Sequence, residues 1–271
     1  MLPSDPCAVF ELDGTLLRPT LLARGPWDGG SIHGSALEAV LVRALERLPH
    51  PVPMLWTRIT IELLRPAPMA VVEVAAKVTR PGARIQACAA TAIVDGEVVA
   101  RASALRMRRS QSADPVAGAM PAPAETPLPP PGDCPISAMP SFLDPRAFTG
   151  AVELRFVHGD WNLGPSTAWL TMTRPLVAGE DPTPLQTLTA LADWAHGISQ
   201  KVSYETHVFM NSDLTISLER EPVGSWVALE ATTTLGGQGT GVAHSRIHDI
   251  AGPVARGSQS LFVDERARAR A

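Results

Sequence analysis

The chain has 271 residues and a formal net charge of −4, from 23 basic and 27 acidic side chains. Its 45% hydrophobic and 18% charged content supplies a core and excludes a chain disordered throughout, and the charge gives no reason to expect a nucleic-acid partner. No run approaches the ~18 apolar residues of a membrane span, and no basic segment followed by an apolar run opens the chain, so no membrane partner and a cytoplasmic location are expected. Cys7, Cys88 and Cys134 are too widely spaced for a disulfide framework or a metal motif, and neither metal nor other cofactor is expected.

In chain order, Ala8 to Leu17 reads as a first strand followed by the Asp13-Gly14 turn. It is similar to the first motif of haloacid-dehalogenase-like phosphatases, but Glu11 stands where the nucleophilic Asp belongs. The extra methylene would displace the nucleophile by about 1 Å, a costly shift. Asp28 and His33 resemble the acid–base pair of R-specific enoyl-CoA hydratases, although Gly30 and Ser31 replace the usual Asn and Pro. The spacing of Leu37, Val40, Leu41, Ala44, Leu45 and Leu48 predicts a helix over 35–48. Strands are expected at 56–64, 70–78, 84–94 and 98–106, with turns at Arg80-Pro81-Gly82 and Asp95-Gly96.

Proline is the compositional outlier. There are 26, nearly twice the average of roughly 5%. Nine lie between Pro115 and Pro140, in a stretch without apolar periodicity. The chain therefore divides into residues 1–109, a Pro-rich linker at 110–137, and residues 138–271. The second part repeats the first: a helix over 183–195, capped by Thr183 or Asp181 ahead of Pro184, then strands at 213–219, 226–234, 242–248 and 254–263.

The repeat is explicit at an offset of 155 residues. Residues 59–65 align with 214–220 at four of seven identities, and 99–103 with 254–258 at four of five. One helix followed by an antiparallel meander, twice over, is an α+β arrangement in which each sheet must curve around its helix to bury it. The repeat, the linker and a set of short motifs resemble the acyl-CoA thioesterase II-like family. Those motifs are His33-Gly34, Leu64-Arg65-Pro66, Arg80-Pro81-Gly82, Ala192-Asp193, Asn211-Ser212-Asp213, Trp226 and Ser258-Gln259-Ser260. The resemblance implies a double hotdog, hydrolysis of fatty acyl-CoA, and a site built from an Asp, a Thr or Ser, and a Gln of the second unit.

Positions where the repeat breaks nominate the site, because a polar group present in one copy only is not required by the frame. Asp213 aligns with Arg58, Gln259 with Ala104 and Thr233 with Val78, whereas Thr234 aligns with Thr79. The expected catalytic residues are therefore Asp213 as base, with Gln259 and Thr233, or its neighbour Thr234 in the run Thr232-Thr233-Thr234, holding the water. His33 and Gly34 at the helix entry are expected to bind substrate, with free N–H groups receiving the carbonyl oxygen. The alternatives are a hydratase using Asp28 and His33, and a non-catalytic acyl-CoA or acyl-carrier binding module. No Gly-x-Ser-x-Gly elbow is present. The Trp residues read mainly as packing, and the Arg266–Arg270 tail as a solvated end. The expected partner is acyl-CoA, and the double unit leaves room for a homo-oligomer.

Overall fold

The computed structural model describes residues 6–26, 29–110 and 126–266. Most of the Pro-rich linker, Asp28, Trp27 and residues 267–271 lie outside the described residues. Among the described residues thirteen strands form one sheet, and every pairing between these strands is antiparallel.

The first unit opens with a hairpin, β1 (Phe10–Asp13) and β2 (Leu16–Pro19), turned at Gly14, whose positive φ of 64° suits glycine. Its exposed Asp13 pairs with Arg18 across the hairpin, an ordinary surface contact. Helix α1 (Gly34–Glu46) follows, then β3 (Met54–Leu63), β4 (Val72–Arg80), β5 (Ile85–Val94) and β6 (Glu97–Arg108). The second unit runs β7 (Val152–His158), β8 (Ser166–Met172), α2 (Pro184–Ala192), α3 (Ala195–Ile198), β9 (His207–Asn211), β10 (Asp213–Leu218), β11 (Trp226–Leu235), β12 (Thr240–Asp249) and β13 (Gly252–Glu265).

The repeat is built into the register. β5 and β12 begin, and end, 155 residues apart. The two halves join where β3 pairs antiparallel with β10, and Thr60 lies directly opposite Thr215, its own counterpart. Their hydroxyls meet at 3.1 Å. An approximate two-fold axis therefore passes between these threonines and relates one hotdog to the other.

Alternation along the strands explains the curvature. In β5, Gln86, Cys88, Ala90, Ala92 and Val94 are buried while their neighbours are less so. The small inward side chains let the sheet close over α1. This helix is buried at ten of its thirteen positions, as a central helix must be. The predicted second helix is broken: α2 stops at Ala192 and α3 restarts at Ala195, leaving Asp193 and Trp194 at the break. Strands β7, β8 and β9 were not anticipated from sequence.

Candidate active site

A mostly apolar cavity of about 420 Å³ lies where the start of α1 meets the α2–α3 break. His33, Gly34, Asp193, Trp194, His196 and Asn211 reach its wall, and Phe142, Trp161 and Tyr204 line it with rings. Trp161 is held by its indole N–H on the carbonyl of Ala138 at 2.8 Å, which draws the segment after the linker over the cavity.

The acid of the site is Asp193, 2% exposed. Its Oδ2 accepts the Ser35 hydroxyl at 2.8 Å. Its Oδ1 accepts the Asn211 carboxamide at 2.6 Å and the Gln259 carboxamide at 3.1 Å. Gln259 also donates to the Asp193 carbonyl at 3.0 Å, and its own oxygen accepts the His196 N–H at 3.2 Å. Every group of the Gln259 amide is thus committed to fixing the acid and the turn that carries it. Asp193 sits at the C-terminal end of α2, where the macrodipole disfavours a carboxylate, and is offset by facing the N-terminus of α1.

His33 caps α1 by accepting the Ser35 N–H at Nδ1 (3.1 Å) and stacks on Phe148. Burial lowers its pKa to about 4, outweighing the opposing influence of Asp193. The 3.7 Å approach of Nδ1 to Asp193 Oδ2 is therefore not an ion pair, since the ring is neutral and this nitrogen accepts. The neutral tautomer carries its proton on Nε2, in the cavity wall. Gly34 follows as the first helical residue, with an N–H that needs no partner inside the helix. A Cβ placed there would lie 3.5 Å from Asp193 Oδ2, which measures how closely backbone and carboxylate approach.

The buried neutral imidazole predicts a pH effect on stability. His33 binds its proton near pH 6.5 in the unfolded chain but only near pH 4 in the fold, so its contribution is complete above about 6.5 and is lost as pH falls toward about 4. His196, lowered by burial as well, acts in the same direction. The melting temperature should fall across this window, and His33→Asn should flatten the fall.

The structure brings Gln259, His33 and Gly34 to one site and leaves Asp213 apart. Asp213 opens β10 opposite Glu62, and its carboxylate accepts the backbone N–H of Ser260 at 2.8 Å. Thr233, 3% exposed, faces inward, and its neighbour Thr234 faces out, as alternation requires. The Thr233 hydroxyl meets Ser199 Oγ at 2.8 Å behind α3, one layer removed from the cavity. Asp193, Asn211 and Ser35 are site residues that the repeat comparison missed. An acid ending a helix buried along its length is a signal that was available, because neither the dipole nor burial favours it there.

The two-fold relation carries a second meeting of helix ends, where the C-terminal turn of α1 meets the start of α2. There Glu46 accepts from the Thr183 hydroxyl at 2.8 and 2.9 Å and from Gln186 Nε2 at 2.7 Å. The first helical residue at this end is Pro184, which has no N–H, and Ala104 and Trp56 hold the repeat positions of Gln259 and Asn211. One end is a site and its twin is a clasp between helices.

Solved structures of this architecture define the class, the double hotdog. A protein of unknown function with a hot dog fold from Alicyclobacillus acidocaldarius superposes with a TM-score of 0.72 at 17% identity, over 96% of both chains. A putative thioesterase II from Thermobifida fusca YX does so at 0.70 and 18%, over 95% of this chain and 96% of that one. An acyl-CoA thioesterase II from Mycobacterium marinum gives 0.65 and 16%, over 96% of both. Family models place the sequence more narrowly: residues 23–107 match the acyl-CoA thioesterase N-terminal domain and 131–263 the C-terminal domain. The chain belongs to the acyl-CoA thioesterase family. No curated protein matches it in sequence.

Proposed function

We propose that the protein hydrolyses acyl-CoA thioesters to free acid and CoA, with Asp193 rather than Asp213 as the base. The observation that carries this reading is the Asp193 carboxylate, fixed on three side chains and turned toward the N-terminus of α1. An attacking water gives its proton to Asp193 as its oxygen bonds to the thioester carbon. The carbonyl oxygen takes up the negative charge against the Gly34 N–H and the His33 Nε2–H. Collapse breaks the C–S bond, and the CoA thiolate takes the proton back from Asp193. Gln259 orients the acid through Asp193, and Thr233 steadies α3 through Ser199. The division at the Pro-rich linker of 110–137 belongs to this reading, one hotdog on each side.

His33 argues against the hydratase alternative, because its accepting nitrogen is already used by Ser35 and its free nitrogen is a donor. A thiol reagent added to the protein with a chain-length series of acyl-CoAs tests the proposal. Free CoA should accumulate with turnover. Loss of enoyl absorbance without thiol release would replace hydrolysis by hydration, and ligand-induced thermal stabilisation without turnover would leave a binding module.

A further inference from the structure

Glu38 is a buried acid that the reaction scheme does not use. It is 0% exposed, and neither carboxylate oxygen has a hydrogen-bond partner among the described residues. It lies one turn along α1 from Ser35, so both project from the same side of the helix, and Ser35 holds Asp193. We infer that Glu38 is a positioning residue for the hydrolysis, an uncharged carboxylic acid kept behind Asp193 whose ionisation closes the site. This inference rests on the proposed thioester hydrolysis.

Burial without a partner disfavours a carboxylate, and the charges of Asp193 and then Asp213 add to the penalty, so the group stays protonated well above the usual carboxylate range. Among the described residues no cation relieves it. α1 packs against α2, β4, β5 and β6. From α2 comes Asp193, from β10 Asp213, and from the break and the cap come His196 and the neutral His33. The inward residues of β4 are Val72, Val74, Ala76 and Val78. β5 and β6 contribute Cys88 and Arg106, and the guanidinium is engaged by Gln86 at 2.6 Å and by the Leu48 and Pro49 carbonyls beyond the far end of α1. On α1 itself, Arg43 and Arg47 are taken by Glu180, and Glu46 by Thr183 and Gln186.

The neutral form leaves one negative charge at the site, on Asp193, where a base is needed. A second charge behind it would oppose the negative oxygen that forms at Gly34, in surroundings that screen it poorly. Hydrolysis should therefore decline on the alkaline side as Glu38 ionises, through kcat more than KM, since Glu38 is outside the cavity wall.

The experiment is the pH profile of kcat and KM, with melting temperature beside it, for the wild type, Glu38→Gln and Glu38→Met. Both replacements remove the titration, and the thioether also removes the buried polar group. The alkaline decline of kcat seen in the wild type should be absent from both. Stability supplies a second readout. A carboxyl whose folded pKa is raised contributes fully below about pH 4.5, and the contribution is lost as pH rises toward the folded value. The variants should thus gain about 3 °C over the wild type for each pH unit above about 4.5 until Glu38 ionises in the fold. An alkaline limb that persists in both variants overturns the catalytic role, and a stability gap that does not widen with pH overturns the protonated state. A wild type that releases no thiol refutes the hydrolase reading and this catalytic role together, while the stability gap still judges the protonated state.

Discussion

Asp193→Asn should lower kcat for acyl-CoA hydrolysis by about 10²- to 10⁴-fold, the contribution of a positioned general base. The amide keeps the size of the side chain, and its oxygen can still accept Asn211 or Gln259 at Oδ1, so the fold should survive. What disappears is the capacity to take a proton from water. KM should change little, because the carboxylate matters most as the transition state forms. Asp213→Asn made in parallel separates the two assignments: the variant with the larger loss in kcat identifies the base. Circular dichroism and melting temperature on both proteins establish that the loss is chemical.

Gly34→Pro is the second large effect, and the protein supplies its own precedent. Pro184 occupies the first helical position of α2, the place Gly34 holds in α1. Proline is well accepted there, because the N–H at this position has no helical partner. His33, the residue before it, has φ −63° and ψ 139°, the extended conformation that a following proline requires. The helix should form, and Leu63 Cδ1, 2.9 Å from the new Cβ position, is the end of a side chain that can rotate away. The substitution deletes one hydrogen bond to the developing oxyanion, and kcat should fall by about 10²- to 10³-fold. Gly34→Ala keeps the N–H while adding the same Cβ, so a much smaller loss in that protein assigns the effect to the donor.

The same comparison of helix ends explains why a symmetric frame carries an asymmetric site. Each helix N-terminus meets an acid from the end of the other helix, Asp193 before Gly34 and Glu46 before Pro184. Only the first end has an N–H at its first helical position, and only there do Asn211 and Gln259 orient the acid. Glu46 is saturated by Thr183 and Gln186 and serves to hold α1 on α2.

The repeat marks Gln259 and hides Asp193 for one reason. A single offset holds from β3 onward because paired strands cannot slip without turning their side chains over. Helices and the loops before them are under no such constraint. The two helix caps, His33 and Thr183, are only 150 residues apart. At an offset of 155, Asp193 falls opposite Glu38, an acid opposite an acid, and the test for unmatched polar groups passes over both. Asp213 stood out instead because the opposite position, Arg58, is a solvent-facing strand residue free to differ.

The sequence by itself determined the repeat, the two central helices, most of the strands and the α+β class. Each of these follows from local periodicity and from identities at a constant spacing. The His33-Gly34 entry to α1 came from the family resemblance. Only the tertiary structure decided which acid faces that entry. Asp193 and Ser35 are 158 residues apart and belong to different hotdogs. Their meeting depends on β3 pairing with β10 around Thr60 and Thr215, which lays the end of one helix against the start of the other. Pairing between units leaves no periodic trace in either one, and so the site becomes visible only when both are folded together.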